Sequence, residues 1–199
     1  MDYDFDGEDK AEDISGNSRD LTVQKNVTFE NNAVTLNGGE SYAETPIEKL
    51  GMGNRLAFDI TLTEAAQPGY ILFETDSEYG THYIRIMEDG TLGFTREMYD
   101  YSFGYSIPVG ETVHLEIATE MESAVLYVNG AAYAATGIWH ETGTVDITGI
   151  TRATFVLPTG RIGSLTNAIH AEMDNIQLKQ GPMLMDSSKF YGERGQRAG

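Results

Sequence analysis

In three runs between Leu56 and Ile117 residues alternate with period two, and this period constrains the fold more than any other feature of the chain. Leu56, Phe58, Ile60 and Leu62 alternate with Ala57, Asp59 and Thr61; His82, Ile84 and Ile86 alternate with Tyr83 and Arg85; Val113, Leu115 and Ile117 alternate with His114 and Glu116. A strand turns successive side chains to opposite faces, so each run predicts a half-buried antiparallel strand. Turn signals separate the runs: Asn37-Gly38-Gly39, Gln67-Pro68-Gly69, Glu88-Asp89-Gly90, Pro108-Val109-Gly110 and Asn129-Gly130. The last is the clearest hairpin, because a type I′ turn needs positive φ at both central residues. Helical spacing is absent from every long stretch, and only Thr45 to Leu50 could form a short helical turn. The expectation is an all-β chain, a two-sheet antiparallel β-sandwich of jelly-roll type built around one core.

At 199 residues the chain can bury one core, and residues 1–180 read as one domain. Residues 181–199, polar and Gly-rich after Gly181-Pro182, read as a tail or linker. The initial Met followed at once by strand pattern reads as a segment of something larger. The net charge of −18 excludes nucleic acid as a partner class, since phosphates need Lys and Arg, and disfavours anionic membranes. A neutral partner or a cation suits it better. No apolar run reaches the ~20 residues of a membrane span, so membrane insertion is not expected. With no cysteine, neither disulfides nor thiolate metal sites are available.

Tyr99, Tyr101, Phe103 and Tyr105 stand at alternate positions, with Asp100, Ser102 and Gly104 between them. Such a ladder suits sugar recognition, because the C–H face of a pyranose stacks on a ring; it equally suits one side of a sandwich core. Tyr79, Tyr99, Tyr101 and Arg96 form one candidate ligand group. Trp139-His140, holding the only tryptophan between Gly137 and Gly143, forms a second, and Asn167 a third.

Several motifs, in order, carry a family resemblance. They are Tyr3-Asp4-Phe5-Asp6-Gly7, the stretch Asp13 to Thr22, Leu36 to Tyr42, Leu126-Tyr127-Val128-Asn129-Gly130 and Met173-Asp174-Asn175-Ile176. Together, over about residues 3 to 180, they resemble laminin-G-like, concanavalin-A-like modules. Gly93 to Glu97, Tyr99 to Phe103, and Pro158 to Ser164 followed by Asn167 are similar to accessory modules of family 20 β-N-acetylhexosaminidases and related secreted glycosidases of gut bacteria; Met98 stands where that pattern has Gly. The resemblance implies a jelly roll that binds glycan beside a catalytic glycosidase domain of the same parent chain. It also implies an extracellular or bacterial cell-surface location and a structural calcium. By the same resemblance, calcium ligands would come from the first strand, the Ser-Gly-Asn loop and the last strand, which nominates Asp6, Asp13, Asn17 and Asp174.

Asp2, Asp4, Asp6, Gly7 and Asp13 formally satisfy an EF-hand loop, but the alternating Tyr3 and Phe5 mark a strand without flanking helices. Glu172-Met173-Asp174 places two carboxyl groups on one strand face, as concanavalin-like glycosidases do. Gln177 occupies the position of the third acid, and an amide cannot act as the general acid. His82, His114, His140 and His170 are scattered without metal-ligand spacing. The residues therefore favour a non-catalytic carbohydrate-binding module. A structural module that packs on a catalytic neighbour, or a concanavalin-like hydrolase, would be the other readings.

Overall fold

A computed structural model describes residues 1–47, 53–77, 80–96, 99–119, 124–139, 143–144 and 157–180. Tyr79, His140, the end of the expected helical turn and the tail 181–199 lie outside them, and so do the side chains of Arg96, Tyr99 and Trp139. The described residues are all-β, without helix, in one curled sheet of antiparallel pairings.

The entry segment supplies β1 (Asp2–Tyr3), β2 (Gln24–Lys25) and β3 (Val27–Glu30), followed by the long β4 (Ala33–Glu44) and β5 (Asn54–Leu62). Next come β6 (Ile71–Ser77), β7 (Gly80–Ile86), β8 (Leu92–Arg96) and β9 (Tyr99–Ser102), a meander of adjacent antiparallel strands. They are followed by β10 (Thr112–Thr119), β11 (Ala124–Val128), β12 (Ala131–Ala134), β13 (Thr136–Trp139), β14 (Gly143–Thr144) and β15 (Arg161–Gln180).

The last of these organises the rest. Along one edge β15 pairs with β4 from Arg161↔Glu44 to Met173↔Val34, and then with β1. Along its other edge it pairs first with β6, at Arg161↔Glu74, and further on with β5, from Ala171↔Leu62 to Gln180↔Asn54. The register shifts between Ser164 and Ala168 on the β4 edge and between Ile162 and Ala168 on the β6 edge, and this bulge lets two limbs leave the same strand in different directions. One limb is β5-β10-β11-β12; the other is β6-β7-β8-β9-β13-β14.

Both limbs turn their apolar residues onto one cluster. Leu56, Phe58 and Ile60 of β5, Phe73 of β6, Ile84 of β7 and Leu115 of β10 are all fully buried there. Phe58 and Phe73 meet edge-on at 5.2 Å across the two limbs. Burying each such side chain contributes about 1.5–3 kcal/mol, which is what the period-two pattern is for.

Asn129 and Gly130, both at positive φ, join β11 to β12 as expected, with Val128 opposite Ala131. Asn37-Gly38-Gly39 differs: it lies inside β4, not between strands. Gly38 and Gly39 have φ of 75° and 56° and bend the strand beside the β15 bulge. A Cβ on Gly38 would stand 2.0 Å from His170 Nε2, so the glycine there admits the histidine rather than ending the strand.

Candidate functional site

From Tyr101 onward the aromatic ladder packs inward. Tyr101 lies flat on Phe94, with ring centroids 4.6 Å apart and planes 7° from parallel. Phe103 is buried beside the same ring, and Tyr105 packs on Tyr133 at 5.3 Å. Tyr101 is thus part of the packing, not an open stacking platform. The register nevertheless unites three candidates distant in sequence, since Arg96 pairs with Tyr99 and Tyr99 with Trp139.

The opposite face of the same strands carries polar side chains. Register places Arg161, Glu74, Tyr83, Thr95 and Asp100 in one row across β15, β6, β7, β8 and β9. Beside it runs a second row, Arg85, Gly93, Ser102 and Thr136. Apolar neighbours one residue away along each strand (Ile162, Phe73, Ile84, Phe94, Tyr101) fill the core side, so alternation drives these polar groups outward. Yet Glu74, Thr95, Asp100, Ser102 and Arg161 are buried there.

Buried charge on a sheet needs partners, and each has them. Arg161 donates from Nε to Glu74 Oε1 at 2.7 Å and from Nη2 to Asp76 Oδ2 at 2.8 Å. Ser164 Oγ and the Leu165 N–H donate to the Glu74 carboxylate, each at 2.8 Å. Burial pulls the Asp76 carboxyl up, but donation from Arg161 and Thr81 outweighs it and leaves the group below its ordinary range. Burial likewise works against the Arg161 cation, and Asp76 and Glu74 overcome it, holding the guanidinium charged.

Next to this network, Arg85 Nη2 reaches both oxygens of Asp100, at 3.1 and 3.2 Å, and the Thr95 hydroxyl donates to the same carboxylate. The guanidinium lies 5.9 Å over the Tyr83 ring. Arg85 Nε is buried and makes no hydrogen bond. A half-buried tyrosine, a half-buried guanidinium and hydroxyl groups side by side can hold a polyhydroxylated ligand. Tyr83, Arg85, Glu74 and Arg161 stand outside the candidate ligand groups that the sequence offers. The available signal was that Tyr83 and Arg85 are the outward members of an alternating strand, on the side shared with Asp100 and Ser102.

The remaining candidates lie elsewhere. Asn167 donates from Nδ2 to the Gly69 carbonyl at 2.9 Å, which ties the loop before β6 to the β15 bulge. Asp13 is a loop organiser: Oδ1 accepts from the N–H groups of Asp2 and Ser15, and Oδ2 from Ser15 Oγ and the Arg19 N–H. Burial raises its pKa, and the hydrogen bonds together outweigh burial and lower it. Four donors on one carboxylate leave no lone pair for calcium, so Asp13 does not fit a metal ligand. Asn17 bonds Ser15 Oγ at 2.8 Å.

Asp174 sits opposite Asp59 on the far limb, with the Asn175 amide donating to both. Burial, then the charges of Asp59, Asp6 and Asp4, push its pKa up against one backbone N–H from Asn175. Asp6 and Asp174 therefore feel one another. Among the described residues, no group of three or more His, Asp or Glu stands where it could hold a metal ion. Glu172 pairs with Thr61 on the same outward face, and Gln177 donates to Asp2 at 3.1 Å.

No family profile and no curated protein matches the chain. Solved structures do. Domain 4 of AbnA, an extracellular GH43 arabinanase from Geobacillus stearothermophilus, in complex with arabinotriose, superposes with a TM-score of 0.55 at 18% identity, over 88% of this chain and 91% of that one. Trypanosoma rangeli sialidase in complex with sialic acid gives 0.56 at 14% identity, over 81% of this chain and 27% of that chain. The same sialidase with 2,3-difluorosialic acid gives 0.53 at 13% identity, over 78% of this chain. This chain thus spans about a quarter of the sialidase chains. At these identities the likeness is one of fold.

Proposed function

We propose that the chain is a non-catalytic carbohydrate-binding module, a two-sheet jelly roll of laminin-G-like type, working beside a catalytic glycosidase domain of an extracellular protein. The observation that carries this is the Tyr83–Arg85–Thr95–Asp100 group on the outward face of β7–β9, with its buried, unbonded Arg85 Nε. Leaving such a donor unsatisfied costs about 1–3 kcal/mol, a cost that native folds accept mainly where a side chain has a role beyond stability. The AbnA domain, 91% of whose length this fold covers, is in complex with arabinotriose, which is consistent with the reading.

A catalytic role finds less support. Glu74 and Asp100 share the outward row, but three interstrand steps separate β6 from β9, roughly 14 Å, whereas glycosidase carboxyl pairs stand about 5–9.5 Å apart. Both are also committed to arginines. A non-catalytic module acts by raising the local concentration of its enzyme on a glycan, so modest affinity suffices.

The test is a glycan array on the folded protein, followed by calorimetric titration of any hit against Tyr83→Ala, Arg85→Ala and Arg85→Lys. Arg85→Lys keeps the charge for Asp100 and removes the Nε donor. Affinity should fall about tenfold or more in each, while Thr61→Ala on the other limb leaves it unchanged. Undiminished binding in all three would move the site elsewhere. A blank array with a cooperative melting transition would leave a structural accessory module.

A further inference from the structure

We infer that the outward face of β6–β9 selects neutral glycans and rejects acidic ones; this rests on the carbohydrate-binding reading and adds the charge class of the ligand. Two arginines on this face meet three carboxylates, Glu74, Asp76 and Asp100. A carboxylate or sulfate is captured best by two parallel N–H groups of one guanidinium. Both guanidiniums on this face already serve carboxylates. Arg161 has Nε on Glu74 and Nη2 on Asp76, and Arg85 has Nη2 on both oxygens of Asp100.

Arg85 Nε, a donor without a hydrogen bond, is buried out of reach of an incoming anion. An acidic sugar would meet guanidiniums whose charge Glu74, Asp76 and Asp100 already balance, so its own charge would add to a local excess of negative charge. The chain as a whole, at −18, repels anions before contact, and its field adds to the local excess of negative charge.

The experiment uses matched pairs on the same array and in titration: a neutral oligosaccharide and its sialylated or sulfated form, at low and high salt. The neutral member should bind, and its acidic counterpart at least about tenfold more weakly, with the gap narrowing as salt screens the face. Asp76→Asn, which removes the exposed carboxylate and keeps an oxygen for Thr81, should narrow the gap about two- to fivefold at low salt. Equal or tighter binding of the acidic member would overturn the selection while leaving the glycan reading standing. Failure of every glycan, neutral and acidic, would overturn the glycan reading and the selection with it.

Discussion

The outward faces of the two limbs are both polar, and they use polarity in opposite ways. On β5 and β10 the ion pairs lie in water: Arg55 and Glu116 are 54% and 27% exposed. On β6 and β15 the Arg161–Glu74 pair is 11% and 3% exposed, and Arg85 and Asp100 are nearly as enclosed. An exposed pair is close to energetically neutral, whereas an enclosed one has lost its water and depends on perfect pairing. A fold with a sufficient core gains nothing from enclosing charge on its outer surface. The β6–β9 face holds its side chains in fixed positions at a cost in desolvation, and pre-placed polar groups of that kind are what a binding surface requires.

The contrast breaks most sharply at its deepest pair. Arg161→Ala should destabilise the protein by about 3–5 kcal/mol, since Glu74 is left buried with a charge that only Ser164 and the Leu165 N–H still satisfy. Arg55→Ala should stay within about 1 kcal/mol. Urea denaturation of the two variants measures both, and equal losses would erase the distinction between the faces.

A smaller effect separates two threonines. Thr95→Val removes the hydroxyl that donates to buried Asp100 and should cost about 1–3 kcal/mol. Thr61→Val removes an exposed hydroxyl, 2.7 Å from that of Thr112, and should change stability by less than about 0.5 kcal/mol. A thermal shift for Thr61→Val as large as that for Thr95→Val would show that burial is not what gives these hydroxyls their weight.

The strands were legible because period two reports burial directly, and Leu56 to Leu62 shows it without exception. The Asn129-Gly130 hairpin was legible because its backbone conformation demands those residues. Gly38-Gly39 misled because the same preference for positive φ serves a turn and a bend within a strand; only the approach of His170, distant in sequence, distinguishes them. In the ladder, Tyr101 and Phe103 pack on the core side. Alternation gives two faces without saying which is inside, and Phe94, the residue that decides it, lies on the neighbouring strand. Glu74 and Arg161 were invisible as a pair, because their meeting depends on which strands flank β15.

The smallest effect is a difference in sign with pH. Asp76, on the enclosed face, titrates below its ordinary value, so folding favours its charged form. That stabilisation is complete above the unfolded-state pKa near 4 and is lost as pH falls through the lower folded value. Asp174, on the open face, titrates above its ordinary value, first through burial and then through Asp59, Asp6 and Asp4. Folding favours its protonated form; the resulting stabilisation is present below about pH 4 and vanishes as pH rises through the folded value, leaving a penalty at neutrality. Asp76→Asn should therefore lower the melting temperature at pH 7 by a degree or two, roughly, and Asp174→Asn should raise it by about as much, since both groups remain partly solvated. Below pH 3 the loss from Asp76→Asn should shrink, and the gain from Asp174→Asn should disappear. If both variants shift the melting temperature in the same direction at pH 7, the electrostatic contrast between the two faces fails at its most local test.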